Sequence, residues 1–293
     1  MSVDLHIHSH FSDGSDSPAA IVRLAKERGL THIAITDHDC ATGLLEALAF
    51  GQTLGLRVTS GIEISVRHQG VPIHVLGHGF SLDHPEMTAF MATLQKERRQ
   101  RNLAMLEKLA GCGLAVTLDE VGHEAGLGQI GRPHFAKTLL KKGYVPNHDE
   151  AFRQYLGRGA KAYVPRPVHS AAEAIGIIHA ASGVASLAHP ANIDPSLGTI
   201  ATLTAELAAL GLDGIEVYYP THKKTMRARL LEIAKENRLM AVGGSDYHGA
   251  FRPETSLAGS RRFRVPAEVG RELLARLAVA KAEAATGTPA VPR

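Results

Sequence analysis

Hydrophobic and polar residues alternate in two different periods at the start of the chain. In the opening stretch VDLHIH, every second residue is apolar, which is the two-residue period of a β-strand. The next stretch, SPAAIVRLAKERG, offers Ser17 as an N-cap, Pro18 at the first helical position and Gly29 as a stop. The pattern therefore predicts a strand followed by a helix.

The same alternation of strand and helix patterns continues to residue 80 and resumes after residue 167. Further strands are expected within 31–39, 56–66, 72–80, 183–190, 213–220 and 239–248. Further helices are expected at 42–55, 169–181, 199–210, 222–237 and 266–284. Seven strands separated mainly by helices predict an α/β fold with parallel pairing, in a barrel or in an open doubly wound sheet.

The middle of the chain has a different pattern. One long helical stretch covers 85–111, and short helical pieces with glycine-rich turns follow it to about residue 165. We therefore predict a helical subdomain at 86–165, inserted between two outer portions, 1–85 and 166–285, that form one domain. The Gly- and Pro-containing segment 286–293 is expected to be a loose tail.

Composition narrows the possible partners. The two cysteines, Cys40 and Cys112, lie far apart and form no CxxC motif, which favours a reducing cytoplasmic location over a disulfide framework. A formal charge of +3 is too small to require a nucleic acid, and no DNA partner is expected. No long apolar run predicts a membrane span. Nothing in the sequence determines the oligomeric state.

Histidines and carboxylates recur where the predicted strands end. The chain has 17 histidines and no tryptophan, and histidine is the commonest metal ligand in proteins. In parallel α/β folds the carboxyl ends of the strands form one site-bearing face. The candidates at this face are His6, His8, Asp13, His38, Glu63, His74 or alternatively His78, His189, Asp246 and His248.

The spacing of these residues favours metal binding. Two residues apart on a strand, His6 and His8 point to the same side and can reach one ion. Imidazole and carboxylate donors suit Zn, Mn or Fe. Nine candidates exceed the needs of one ion, so we expect two or three clustered ions, with Glu63 as a bridging carboxylate. Asp37 and Asp39 flank His38 and are expected to orient it.

Six motifs in order resemble those of the PHP (polymerase and histidinol phosphatase) superfamily: DLHIHSHFSDG, AITDHD, GIEIS, IHVLG, LAHP and GSDYH. The long insertion, with RRQRN and GRPH, resembles the branch of nucleoside 3',5'-bisphosphate phosphatases and 5'-to-3' exoribonucleases. The resemblance implies a distorted seven-stranded β/α barrel that holds a trinuclear metal site, usually supported by manganese.

Three ligand sets follow from this resemblance. They are His6, His8, Glu63 and Asp246 for the first ion, Glu63, His74 and His189 for the second, and Asp13, His38 and His248 for the third. His10 stands where relatives usually carry a small polar residue, and it is left out. Eight other histidines are expected at the surface or at helix ends: His32, His68, His84, His123, His148, His169, His179 and His222.

The predicted insertion carries two candidate anion-binding features. Arg98 and Asn102 interrupt the apolar stripe of the long helix, and Arg99 lies beside that stripe, three residues from Asn102 and within reach of a shared ligand. In GRPH, Pro133 marks a helix start, which places Arg132 and His134 where free N–H groups favour phosphate. Without the resemblance, an ordinary capped helix with an exposed Arg132 explains GRPH equally well.

We expect a metal-dependent phosphatase that removes the 5'-phosphate from nucleoside 3',5'-bisphosphates. No G-x-S-x-G, P-loop or cysteine nucleophile motif is present, so a metal-bound hydroxide is the expected nucleophile. His38 or His248 would assist proton transfer, and Arg99, Asn102, Arg132 and His134 would bind the 3'-phosphate. The alternatives are 5'-to-3' exoribonuclease activity on short RNA, an amidohydrolase-type hydrolase, and a non-catalytic metal-binding module.

Overall fold

An eight-stranded sheet lies at the centre of the computed structural model, which describes residues 2–126, 128–259 and 263–286. From β1 to β8 the strands are Ser2–Asp4, Leu30–Ile35, Arg57–His68, Val71–His78, Val184–Leu187, Gly214–Tyr218, Met240–Gly243 and Val265–Pro266. They pair in the order β7-β6-β5-β4-β3-β2-β1-β8. The seven predicted strands are confirmed. The eighth has only two residues, too few to leave a periodic pattern.

Backbone hydrogen bonds beyond β1 and β7 almost close this sheet into a barrel. The N–H of Leu5 donates to the carbonyl of Gly243 at 3.2 Å, and the N–H of Asp246 donates to that of His6 at 2.9 Å. Gly244 permits this close approach, because a Cβ there would lie 2.3 Å from the Cβ of His6. The predicted α/β barrel is therefore confirmed.

Eleven helices are described. From α1 to α11 they are Pro18–Glu27, Leu44–Leu54, Pro85–Gly111, Leu118–Ala125, Arg132–Lys141, His148–Ala151, Ala171–Ala180, Pro190–Ile193, Ile200–Ala209, Lys224–Glu236 and Ala267–Thr286. A π-helical turn spans Phe152–Leu156 and a 3-10 turn spans Gly249–Phe251. Ser17 caps α1 as its sequence predicts, since its Oγ accepts a hydrogen bond from the N–H of Ala20 at 3.1 Å.

The prediction that all strands pair in parallel is wrong for β4. This strand runs antiparallel to both β3 and β5, while β1, β2 and β3 pair in parallel, as do β5, β6 and β7. The cause is a tight reversal at Gln69 and Gly70, both with positive φ, which joins β3 to β4 without a helix. The amino-terminal half of β4, including His74, therefore lies at the barrel end where the parallel strands have their carboxyl ends.

Two buried clusters form the barrel core, and a third lies among the helices between α3 and the π-helical turn. This third cluster contains Met105, Leu109, Val121, Phe135 and Leu139, all fully buried. Of the described residues within 86–165, none belongs to a strand. The division of the chain into a barrel and an inserted subdomain stays a prediction. In the predicted tail, 287–293 lie outside the described residues, and Thr286 ends α11.

The helical core can be tested by truncating Phe135, whose side chain is fully buried. We expect Phe135→Ala to lower the free energy of unfolding by about 3–5 kcal/mol, because the change removes buried ring contacts and leaves a cavity. Urea denaturation followed by circular dichroism measures this loss. Phe251→Ala is the matched control, since Phe251 is 56% exposed and should change stability by less than about 0.5 kcal/mol. Equal losses would contradict the assignment of this core.

Candidate metal centre

All nine predicted ligands lie together at one end of the barrel. His6 and His8 follow β1, His38 follows β2, and Glu63 lies within β3. The other members are Asp13, His74 from β4, His189 after β5, and Asp246 with His248 after β7. The convergence of these side chains follows from the barrel topology, because each strand delivers them to the same rim.

The carboxylate of Glu63 is at the centre of this cluster. Its Oε1 lies 2.7 Å from Nδ1 of His74 and 2.9 Å from Nε2 of His189. Its Oε2 lies 3.1 to 3.3 Å from ring nitrogens of His6, His8 and His38. The side chain is 1% exposed, so one buried carboxylate contacts five imidazoles.

The donor atoms form three groups with metal-site geometry, each with its atoms within 4.8 Å of one another. These groups are His6, His8, Glu63 and Asp246; then His8, Asp13, His38 and His248; and finally His38, Glu63 and His74. The first is the set that the resemblance implies for one ion. The second group is the implied set of Asp13, His38 and His248 with His8 added. The third group contains Glu63 and His74 of the remaining implied set with His38 added, and His189 of that set contacts Glu63.

Several of these nitrogens approach carboxylates without forming hydrogen bonds. His8 Nε2, His38 Nδ1 and His248 Nε2 are buried and have no hydrogen-bond partner. They nevertheless lie 3.1 to 3.3 Å from oxygens of Glu63, Asp246 or Asp13. Several nitrogen and oxygen donor atoms within 4.8 Å of one another are the arrangement that a divalent cation requires. The residues therefore fit divalent metal ions.

A buried carboxylate outside the predicted set fixes the orientation of His6. Glu216, on β6, accepts a hydrogen bond from Nδ1 of His6 at 3.0 Å and another from the backbone N–H of His189 at 2.7 Å. Because a carboxylate can only accept, Nδ1 of His6 carries a proton, and this bond turns Nε2 towards Glu63. The sequence reasoning missed Glu216, although a charged residue in the apolar strand GIEVY was a signal for it.

Electrostatics couple these groups. Burial would raise the pKa of Glu63, but the imidazoles of His38, His74 and His6 hold it well below its usual range. Burial lowers the pKa of His38 to about 4. Burial lowers the pKa of His8, but Asp246 and Glu63 raise it to about 10, and nearby carboxylates likewise raise the pKa of His6 and of His74. Without bound ions, protonated imidazoles therefore compensate the carboxylates, and metal binding would release these protons.

The backbone is strained at three positions of the site. Asp39, His189 and Asp246 have φ values of +53°, +29° and +51°, in the left-handed region that is uncommon for residues other than glycine. Such strain persists only where the surrounding structure holds it, and it is concentrated at functional sites. Here it turns His189 and Asp246 towards the cluster at strand ends.

Several weaker sequence predictions have a different outcome. His78, the alternative to His74, lies at the carboxyl end of the antiparallel β4, where its Nε2–H donates to the carbonyl of Leu5 at 2.8 Å. His10 packs against Phe11 and belongs to none of the three groups. The expectation of surface positions is wrong for His32 and His222, which are both 3% exposed.

The two aspartates beside His38 have other partners. Asp37 accepts hydrogen bonds from the backbone N–H and hydroxyl of Ser9 and from the hydroxyl of Ser12, so it holds the loop after β1. Asp39 forms ion pairs with Arg98 and Arg166, each at 2.6 Å. These contacts therefore do not show the predicted role of Asp37 and Asp39 in orienting His38.

Beside the cluster is a cavity of about 440 Å³, whose lining includes Asp13, His38 and His74. Arg132 and His134, both predicted to bind substrate, line this cavity. The N–H of Gly131 donates to Nδ1 of His134 at 3.0 Å, and burial lowers the pKa of this histidine. The ring is therefore neutral with its proton on Nε2, which can donate to an anion.

The other two predicted substrate residues do not line this cavity. Arg99 is exposed, and Nδ2 of Asn102 donates to the carbonyl of Ile130 at 3.0 Å. Arg98 and Arg101 line the cavity instead, because the inward face of α3 includes positions 98, 101, 102 and 105. Arg99, the residue predicted from the sequence, is adjacent to Arg98 in the chain but lies outside that face.

Comparisons with known proteins agree with this architecture. Residues 4–149 match the PHP domain family. A 5'-3' exoribonuclease of Haemophilus influenzae is 35% identical over 84% of this chain and 89% of its own length. A 3',5'-nucleoside bisphosphate phosphatase of Chromobacterium violaceum is 33% identical over 84% of this chain and 87% of its own.

Solved structures show the same fold. A Bifidobacterium adolescentis protein, provisionally described as a metal-dependent phosphoesterase, superposes with a TM-score of 0.80 at 32% identity, covering 94% of this chain and 96% of that one. None of the helices in the described part of this chain is long and apolar enough to cross a membrane. The resemblance indicated by the six motifs is confirmed, and the chain belongs to the PHP domain family.

Proposed function

We propose that this protein removes the 5'-phosphate from nucleoside 3',5'-bisphosphates, giving a nucleoside 3'-phosphate and orthophosphate. The observation that carries the proposal is the joining of two anion-binding regions. A cluster of metal-ligand type opens directly onto a cavity lined by five arginines. A substrate with phosphates at both ends fits this arrangement, and the Chromobacterium violaceum relative is named for that substrate.

The arginines outnumber the carboxylates available to neutralise them. The five are Arg67, Arg98, Arg101, Arg132 and Arg166. Asp39 pairs with Arg98 and Arg166, while Arg132 lies 5.8 Å from the ring centres of both Phe152 and Tyr163. Cations gathered in one cavity repel one another unless an anion neutralises them, so the site favours a dianionic phosphate.

Arg101 is the arginine whose surroundings most favour binding of an anion. Its side chain is buried, its Nε has no hydrogen-bond partner, and its Nη1 donates to the sulfur of Met105 at 3.2 Å. Burial, together with the charges of Arg98, Arg166 and Arg132, lowers the pKa of Arg101 to about 9. Binding a 3'-phosphate there would remove this cost.

We propose two or three divalent ions, manganese foremost, held by His6, His8, Asp13, His38, Glu63, His74, His189, Asp246 and His248. When bound, such ions lower the pKa of water and neutralise phosphoryl oxygens. Helices α3 to α6 would form the substrate-recognition subdomain, since α3 and α5 supply Arg98, Arg101, Arg132 and His134. His38 and His248 would assist proton transfer to the leaving oxygen.

Exoribonuclease activity on short RNA is the second candidate. The Haemophilus influenzae relative carries that name. In this chain the cavity rim includes Val168, which is 52% exposed, so the cavity is open to solvent on this side and a longer strand could leave through it. In that reaction the 5'-terminal nucleotide would be released by cleavage of the following diester.

Product analysis separates the two candidates. A 5'-phosphorylated RNA trinucleotide and adenosine 3',5'-bisphosphate are incubated with the manganese-loaded protein, and the products are resolved by anion-exchange chromatography. We expect the bisphosphate to give adenosine 3'-phosphate and orthophosphate, because the 5'-phosphate lies on the metals. Rapid release of mononucleotides from the trinucleotide, with a slow reaction of the bisphosphate, would favour the exoribonuclease.

The 3'-phosphate site can be tested with two neighbouring arginines. Arg101→Met should reduce the preference for adenosine 3',5'-bisphosphate over adenosine 5'-phosphate by about 10- to 100-fold, since a charge-assisted contact to one phosphate is lost. Arg99→Met is the matched control, because Arg99 is exposed on the same helix. Steady-state kcat/KM for both substrates gives the ratio. An equal loss of kcat/KM on both substrates with Arg101→Met would contradict the assignment.

A further inference from the structure

Arg252 lies at the metal cluster and has no role in the reaction proposed above. It directly follows the 3-10 turn Gly249–Phe251, six residues after Asp246. Its side chain lines a cavity of about 270 Å³ together with His38, Glu63, His74 and other residues of the cluster. Among the ten described residues that line this cavity, Arg252 is the only arginine or lysine.

The contacts of Arg252 leave most of its guanidinium for another partner. Nη1 donates to Oδ2 of Asp246 at 2.8 Å, and the side chain is 42% exposed. A guanidinium has five N–H donors, and this bond uses one of them. Oδ2 also accepts a hydrogen bond from the buried hydroxyl of Tyr219 at 2.8 Å, so Asp246 is oriented from a second side.

The position of Arg252 differs from that of the five arginines in the larger cavity. Arg252 does not line that cavity, whereas His38 and His74 line both. The metal cluster therefore has arginines on two sides. The five arginines of the larger cavity are suited to a distal phosphate, and Arg252 lies beside the metal-ligand atoms of the cluster. A phosphate held at those donor atoms would be within the cavity that Arg252 lines.

We propose that Arg252 is a further catalytic residue, which donates hydrogen bonds to a non-bridging oxygen of the transferred phosphoryl group. This inference rests on the proposed function only in placing the scissile phosphate at the metal cluster. The oxygen of water forms the new bond to phosphorus, the bond from phosphorus to the 5'-oxygen breaks, and the alkoxide leaves with the electron pair and takes up the proton that the water releases. The guanidinium neutralises charge on the phosphoryl oxygens during this exchange.

The test compares Arg252→Ala and Arg252→Lys with two controls. Tyr219→Phe removes the other hydrogen bond to the same oxygen of Asp246, and Arg271→Ala removes an exposed cation from α11. Metal content is measured by elemental analysis, binding of inorganic phosphate to manganese-loaded protein by calorimetry, and kcat with adenosine 3',5'-bisphosphate and with p-nitrophenyl phosphate.

We expect Arg252→Ala to keep the wild-type metal content, to bind inorganic phosphate at least about 10-fold more weakly, and to lower kcat on both substrates by about 100-fold. Arg252→Lys should recover part of each loss, because it keeps the charge without the planar fork. Phosphate binding by Arg271→Ala should stay within about threefold of wild type, and metal-loaded Tyr219→Phe should lose less phosphate affinity than Arg252→Ala.

Two results would overturn the inference. One is a loss of metal from Arg252→Ala that matches its loss of activity, which would make Arg252 a support for Asp246. The other is phosphate binding by Arg252→Ala that equals that of wild type. A wild-type enzyme that cleaves p-nitrophenyl phosphate but does not prefer bisphosphates would refute the proposed function alone, since the phosphate-binding comparison does not depend on that preference.

Discussion

The carboxylate of Glu63 imposes the constraint on which the rest of the site depends. It is buried at the barrel end, and its two oxygens lie within 2.7 to 3.3 Å of ring nitrogens from five histidines. A buried charge is costly unless it is compensated, and the surrounding imidazoles compensate it either as protonated cations or as neutral ligands of shared metal ions. The barrel brings these histidines together from β1, β2, β4 and β5, so the fold and the metal site are mutually dependent.

Asp39 connects this centre to the helical part of the chain. Its side chain pairs with Arg98 on α3 and with Arg166, and its backbone carbonyl accepts hydrogen bonds from the side chains of Gln95 and Gln129. Because Asp39 directly follows His38, these contacts fix the arginines relative to the cluster.

The sequence predicted the barrel and the residues that meet at its rim, because strand periodicity and the positions of histidines survive as local patterns. Two features were not local. The reversal of β4 depends on a two-residue turn, Gln69 and Gly70, and it decides whether His74 or His78 faces the cluster. The inward face of α3 depends on its contact with the loop at Ile130, so Arg99 was predicted to bind substrate, whereas Arg98 and Arg101 line the cavity.

The central role of Glu63 is tested by the metal stoichiometry of Glu63→Gln, measured by equilibrium dialysis against Mn²⁺ and elemental analysis. The glutamine side chain preserves size but removes the bridging charge. We predict about two or three ions bound per chain in the wild type, and fewer ions in the variant, with the affinity of the remaining ions lowered by about 10-fold or more. A folded Glu63→Gln protein with the stoichiometry and affinity of the wild type would contradict the central role of this carboxylate.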